Sequence, residues 1–180
     1  MLIYIIAIII AIAVIVIDQI TKYLTATSNI NAVIIPELLK FKLAYNEGAA
    51  FSFLSGVSWA QTFFKIMTVV VLLALIALMI YSIISKKNPS KWLIVSIALV
   101  FGGTVGNFID RVAFDKVRDF IYVFYNTEIF PAIFNVADMA LVIGVIMICV
   151  YLLFLDKDAV FKLNKNKNNS TESENQTVKK

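Results

Sequence analysis

Histidine is absent from the 180 residues, and cysteine occurs once, at Cys149. A serine–histidine triad, a cysteine–histidine dyad and an HExxH zinc site are therefore excluded. No disulfide can form within the chain. Cys149 lies in an apolar run, where a lone thiol reads as a small packing residue. Charge is scarce as well: Asp, Glu, Lys and Arg make up 16% of the chain, against about a quarter in ordinary soluble domains. Any hydrolytic chemistry must be carried by carboxylates, hydroxyls or lysines.

Apolar residues fill the space left by the missing charge. They are 61% of the sequence, and the mean hydropathy is +0.87. That composition belongs to a bilayer protein. The net charge of +4 does not indicate nucleic acid, because the basic residues sit in short segments beside apolar runs. Such placement is a membrane-topology signal.

A spanning helix needs about 20 mostly apolar residues. Four segments qualify, at about 2–24, 63–84, 92–111 and 135–155. The first has no basic n-region and three spans follow it, so a retained helix is expected rather than a cleaved secretion signal. The turn Ser85–Lys91 holds three lysines, and Lys157, Lys162, Lys165 and Lys167 follow the fourth span. The positive-inside rule then puts the short turn and both termini in the cytoplasm, and the loops at about 24–62 and 112–134 outside. Trp59 and Trp92 fall near opposite interfaces. Residues 1–156 form one membrane-embedded domain, and the polar tail 157–180 is expected to be disordered. The fold class expected is an all-α integral membrane protein of four transmembrane helices with a small extracytoplasmic β-containing loop region. A short strand or hairpin is expected near Phe41–Tyr45, and the aromatic stretch Ile121–Tyr125 is expected to lie on the headgroup region, a candidate cover for a site.

On that topology the polar residues gather at one face. Asp18 and Lys22 end the first helix, and Asn46 lies in the first outer loop. Asn107, Asp110 and Arg111 end the third helix, Asp119 lies in the second outer loop, and Asn135 and Asp138 open the fourth helix. Ionisable residues at membrane depth are costly, so a cluster of them is a functional hypothesis. Each also has a structural reading. Asp18 and Lys22 are spaced as an i,i+4 ion pair. Asn107, Asp110 and Arg111 read as scaffold or substrate-backbone donors. Gly102, Gly103 and Gly106 permit close helix approach, within the bundle or between chains. Asn135 can cap the fourth helix, with Asp138 at its third position. Asp119 has a basic neighbour in Arg118.

Asp119 and Asp138 stand out because they share a depth and no other catalytic equipment exists. Two carboxylates in one site can divide the work of hydrolysis. The ionised one takes a proton from water, and the protonated one polarises the scissile carbonyl. No metal and no cofactor is needed. A small transporter using Asp18, Lys22, Asp110 and Arg111 as a relay is an alternative, but the cytoplasmic halves of the spans are almost wholly apolar. A non-catalytic membrane scaffold is another.

Five segments resemble, in order, the motifs of the bacterial lipoprotein signal peptidases (signal peptidase II). They are Asp18-Gln19-Ile20-Thr21-Lys22, Asn46-Glu47-Gly48-Ala49-Ala50-Phe51-Ser52, Gly102 to Arg111, Val117-Arg118-Asp119-Phe120-Ile121 and Phe134-Asn135-Val136-Ala137-Asp138. The resemblance implies an aspartic endopeptidase of the bacterial plasma membrane that cuts prolipoproteins before a diacylglyceryl-modified cysteine. It makes Asp119 and Asp138 the catalytic pair. It associates Asp18, Lys22, Asn46, Asn107, Arg111 and Asn135 with site structure or substrate contact, and Asp110 falls within the same motif. Thr104 stands where the family commonly has alanine. The partners implied are prolipoprotein substrate and membrane lipid, the active site is extracytoplasmic, and a monomer is expected.

Overall fold

A computed structural model describes residues 1–48, 59–84, 90–125 and 132–155. Its helices are α1 (Leu2–Ser28), α2 (Ala60–Ile84), α3 (Lys91–Phe114) and α4 (Val136–Val150), the last widening into a π-helical turn over Tyr151–Leu155. All four are long and apolar enough to cross a membrane, counting α4 with its final turn. The protein is membrane-embedded. The polar turn at 85–89 and the tail expected to be disordered lie outside the described residues.

α1 was expected to stop near residue 24 and α3 near 111, yet both continue. At 1.5 Å per residue they reach about 36–40 Å, longer than the roughly 30 Å hydrocarbon layer. Apolarity marks where lipid ends, not where the helix ends. In the extra turns of α1, hydroxyls return to preceding carbonyls: Thr25 to Thr21, Thr27 to Tyr23 and Ser28 to Leu24, at 2.6, 3.0 and 2.6 Å. Asn29 then closes the helix in the left-handed conformation.

The loops build more regular structure than expected. β1 (Asn31–Ile35) and β2 (Leu39–Asn46) follow α1, and β3 (Val117–Val123) and β4 (Ala132–Phe134) follow α3. They form one antiparallel sheet in the order β1-β2-β3-β4. The all-α description is therefore incomplete: the protein is mostly helical and carries a small sheet. The expected hairpin is β1–β2. The aromatic stretch Ile121–Tyr125 is not a separate surface segment. Its first half belongs to a central strand hydrogen-bonded on both sides, as its aromatic and β-branched composition favours.

Since the sheet draws strands from both loops, it gathers the C-terminal ends of α1 and α3 and the N-terminal ends of α2 and α4 at one end of the bundle. Trp59 lies at that end, just ahead of α2, and Trp92 at the other, where its indole N–H donates to the Met147 carbonyl at 2.7 Å.

α3 runs through the centre and packs on the other three helices. Its glycines are used inside the bundle. A methyl on Gly102 would sit 2.9 Å from the Ala11 carbonyl of α1, and one on Gly103 would collide with the Ala137 carbonyl of α4. Backbones approach this closely only where side chains vanish. α2 packs chiefly on α3 and leaves an apolar cleft of about 290 Å³ beside α1, lined by residues such as Ala7, Ala11, Met79 and Ile97. Cys149 faces outward on α4 and is exposed, not packed.

Candidate active site

The polar residues at the sheet end form two connected layers. In the deeper layer Asp18, Lys22 and Asp110 are fully buried. Lys22 Nζ lies 2.8 Å from Asp18 Oδ2 and 3.6 Å from Asp110 Oδ2, and it donates to Asn107 Oδ1 at 2.9 Å. Asp18 Oδ1 accepts the N–H of Ala137 at 2.9 Å, so a carboxylate of α1 satisfies the open first turn of α4. Gly106 lets this happen: a methyl there would stand 2.7 Å from Asp18 Oδ2.

Asp110 is held by a residue from the next element. After α3, Asp115 adopts the left-handed conformation at φ 56° and the chain reverses into β3. Arg118 thereby returns to Asp110. Its Nη2 lies 2.7 Å from Oδ1, while its Nε and its backbone N–H donate to Oδ2 at 3.1 and 2.8 Å. Gln19 completes the layer, donating to Asp18, Asp110 and the Gly106 carbonyl and accepting from Arg118 at 3.1 Å. Buried charges are tolerable when each is paired and its remaining valences are hydrogen-bonded, as here.

The second layer contains Asp119 and Asp138. Asn135 N-caps α4 in a capping box: its side-chain oxygen accepts from the Asp138 N–H at 2.9 Å, and Asp138 Oδ2 accepts from the Asn135 N–H at 3.1 Å. The side-chain amide of Asn135 donates to Asp119 Oδ1 at 2.6 Å. Asn107 donates to Asp138 Oδ1 at 2.7 Å and accepts from both Lys22 and Asn135. Asn46 donates to Asp119 Oδ2 at 3.1 Å. The register explains that reach. Ala44 pairs with Asp119 and Asn46 with Val117, so Asn46 and Asp119 are diagonal neighbours on one face of the sheet. One extra β2 residue between Phe41 and Ala44 sets this alignment.

Asp119 is 2% exposed, whereas Asp138 is partly open. Burial first, and then the charge of Asp138, push the Asp119 carboxyl up to about 6, against the hydrogen bonds from Asn46 and Asn135. Burial, followed by the charge of Asp119, also raises the Tyr122 hydroxyl.

Arg111 lies to one side. Its guanidinium stacks 4.5 Å from the Phe64 ring centre, and it donates to Gln61 Oε1 at 3.2 Å and to the Gly48 carbonyl at 2.9 Å. It ties the first inter-helix segment to α2 and α3. Residues 49–52 of the second motif lie outside the described residues.

The structure thus brings together Asp18, Lys22, Asn46, Asn107, Asp110, Asn135, Asp119 and Asp138 in one network, with Arg111 at its margin. Sequence reasoning missed Gln19 and Arg118. Gln19 sits beside Asp18 in the chain, and an uncharged amide gave no signal of its own. In the sequence Arg118 stands next to Asp119, and the signal for its role is that a buried Asp110 needs a cation and Arg118 is eight residues away.

The model of the family described as "Signal peptidase (SPase) II" matches residues 10–154. A lipoprotein signal peptidase of Staphylococcus aureus strain bovine RF122 / ET3-1 is 41% identical over 153 residues, covering 82% of this chain and 87% of the relative. A second one from Staphylococcus aureus is 40% identical over 165 residues, covering 88% and 93%. A solved bacterial membrane enzyme at 2.3 Å resolution superposes with a TM-score of 0.69 at 41% identity, covering 82% of this chain and 87% of that one. Another, at 1.9 Å, gives a TM-score of 0.67 with 82% and 92% covered. Matching its family model over most of its length and sharing two-fifths of its residues with such peptidases, this chain belongs to the Signal peptidase II family of membrane proteases.

Proposed function

We propose that the protein is an aspartic endopeptidase that removes the signal peptide from prolipoproteins, cutting before a diacylglyceryl-modified cysteine, with Asp119 and Asp138 as the catalytic pair. The observation that carries this reading is the shared bridge. Asn135 holds the Asp119 side chain and, through the capping box, Asp138, so one buried residue tethers both carboxyl groups at the lip of the bundle. Charge accounting supports the pair. Asp18, Asp110, Lys22 and Arg118 balance among themselves, which leaves Arg111 against two carboxyls. One proton on the pair makes the cluster neutral.

Asp119, the more buried of the two and raised to about 6, carries that proton. Asp138, partly open to solvent, is ionised and takes a proton from water. The resulting hydroxide adds to the scissile carbonyl carbon while Asp119 donates to the carbonyl oxygen. Collapse of the tetrahedral intermediate returns the hydroxyl proton to Asp119 as the carbonyl re-forms. The nitrogen of the modified cysteine takes a proton from Asp138, and the peptide bond breaks. Asn107 links Lys22 to Asp138 through hydrogen bonds and so orients the Asp138 carboxyl. Substrate contact is assigned to Asn46, beside Asp119, and to Arg111 at the margin of the network.

The three-lysine turn and the basic tail support a topology with both termini in the cytoplasm and the site opening on the extracytoplasmic face of the plasma membrane. The glycines of α3 are consumed inside the bundle, which favours a monomer. Substrate class is tested by incubating purified protein with a diacylglyceryl-modified prolipoprotein and with its unmodified form. Cleavage of the modified form alone is expected, and equal cleavage of both would overturn the substrate assignment.

A further inference from the structure

Asp119 sits on a strand whose other anchors are not on the reacting side. Neighbouring residues of a strand point to opposite faces. Arg118 accordingly turns toward α1 and α3 while Asp119 turns toward Asn46 and Asn135. The Arg118 backbone N–H and its guanidinium both end on the Asp110 carboxylate, at 2.8 Å for the N–H and 2.7 Å for Nη2. On the other side of the same residue, the Arg118 carbonyl accepts from the Asn135 side-chain amide at 3.4 Å. The residue preceding Asp119 is therefore gripped from α3 through its N–H and side chain, and from the start of α4 through its carbonyl. Phe114 lies under the guanidinium, 4.7 Å from ring centre to Cζ, and limits its swing.

We propose that Arg118 is a positioning residue: its two-pronged grip on Asp110 fixes the start of β3 against α3 and so sets where the Asp119 carboxylate meets Asp138. The proposal rests on the reading of Asp119 and Asp138 as the catalytic pair. The contacts of the Arg118 side chain are with Asp110, Gln19 and Phe114 rather than with either carboxyl of that pair. Lysine would keep the charge but could not fork across both oxygens.

The test uses full-length protein in detergent with a diacylglyceryl-modified prolipoprotein, measuring kcat, KM and the thermal unfolding midpoint. Arg118→Met is expected to lower kcat about 100-fold, the scale of a misplacement near 1 Å. KM is expected to stay within about twofold, because substrate contacts remain. Arg118→Lys is expected to recover part of the lost kcat. The double variant Asp110→Asn/Arg118→Met removes both charges together, and it is expected to regain the unfolding midpoint without regaining kcat. If the double variant regains both, Arg118 serves charge balance only and the proposal fails. Wild-type kcat in Arg118→Met also overturns it. Asp119→Asn in the same assay separates the two claims: full activity there removes the catalytic pair itself, whereas an inactive Asp119→Asn beside a fully active Arg118→Met removes only the role of Arg118.

Discussion

Asn135 donates its side-chain amide to Asp119 Oδ1 at 2.6 Å while its backbone N–H donates to Asp138 Oδ2 at 3.1 Å. One fully buried residue therefore references both carboxyls to the first turn of α4. Asn135→Ala removes the cap, which costs about 1 kcal/mol of stability. It also removes the shortest side-chain hydrogen bond to Asp119, at 2.6 Å. Turnover of modified prolipoprotein is expected to fall by about 100-fold or more, the scale of losing one preorganised donor. A variant that kept wild-type kcat would show that the bridge does not order the pair.

The raised carboxyl of Asp119 sets a pH dependence. A carboxyl pushed up to about 6 by burial and by Asp138 keeps its proton further into the neutral range than an ordinary aspartate. If that proton is the catalytic acid, activity is lost as pH rises and Asp119 ionises. The alkaline limb of kcat/KM, which reports the free enzyme, is expected to have its midpoint near 6. Asn46 donates to the ionised form and so lowers this value. Asn46→Ala is expected to move the limb to higher pH. A limb that moves to lower pH, or stays fixed, would assign it to another group.

Close approach at Gly106 gives a steric prediction. A methyl there would stand 2.7 Å from Asp18 Oδ2 and 3.1 Å from the Ala137 Cβ. Both neighbours are held, Asp18 by Lys22 and Ala137 by its place in α4. Gly106→Ala is expected to cost about 1–3 kcal/mol, as overpacking does, and to reduce activity by displacing Asp18 from α4. Thr104→Ala provides the contrast. The Thr104 hydroxyl only returns to the Val100 carbonyl at 2.6 Å, so its loss is expected to leave cleavage intact. Unfolding midpoints and turnover of the two variants check the pair of outcomes.

Lys22 carries a fourth. It is fully buried between Asp18 and Asp110, and removing one partner of a buried pair costs about 3–5 kcal/mol by stranding the other charge. Lys22→Met is expected to lower the unfolding midpoint sharply, and Asp18→Asn/Lys22→Met is expected to recover part of it. Equal midpoints for the single and double variants would mean the buried lysine is not paired as the distances indicate.

How far the sequence carries differs from residue to residue. The i,i+4 spacing of Asp18 and Lys22 announced their pairing, and Asn135 followed by Asp138 announced the cap, because both interactions are local. The partner of Asp110 was not legible, since Arg118 reaches it only after the left-handed reversal at Asp115. The sheet was half legible for the same reason. A hairpin after α1 follows from local pattern, but pairing β2 with β3 joins residues more than 70 positions apart, such as Ala44 and Asp119. The placement of Asn46 beside Asp119 depends on that pairing and on its bulge. Helix ends were short by a turn because hydropathy tracks lipid rather than hydrogen bonding.

The most direct test of the central claim is turnover of a diacylglyceryl-modified prolipoprotein by purified Asp119→Asn and Asp138→Asn variants that retain the wild-type helical content. Each is expected to lose at least about 1000-fold in kcat, within the range for removing a positioned general acid or base. Wild-type turnover by either variant would contradict a two-carboxylate mechanism.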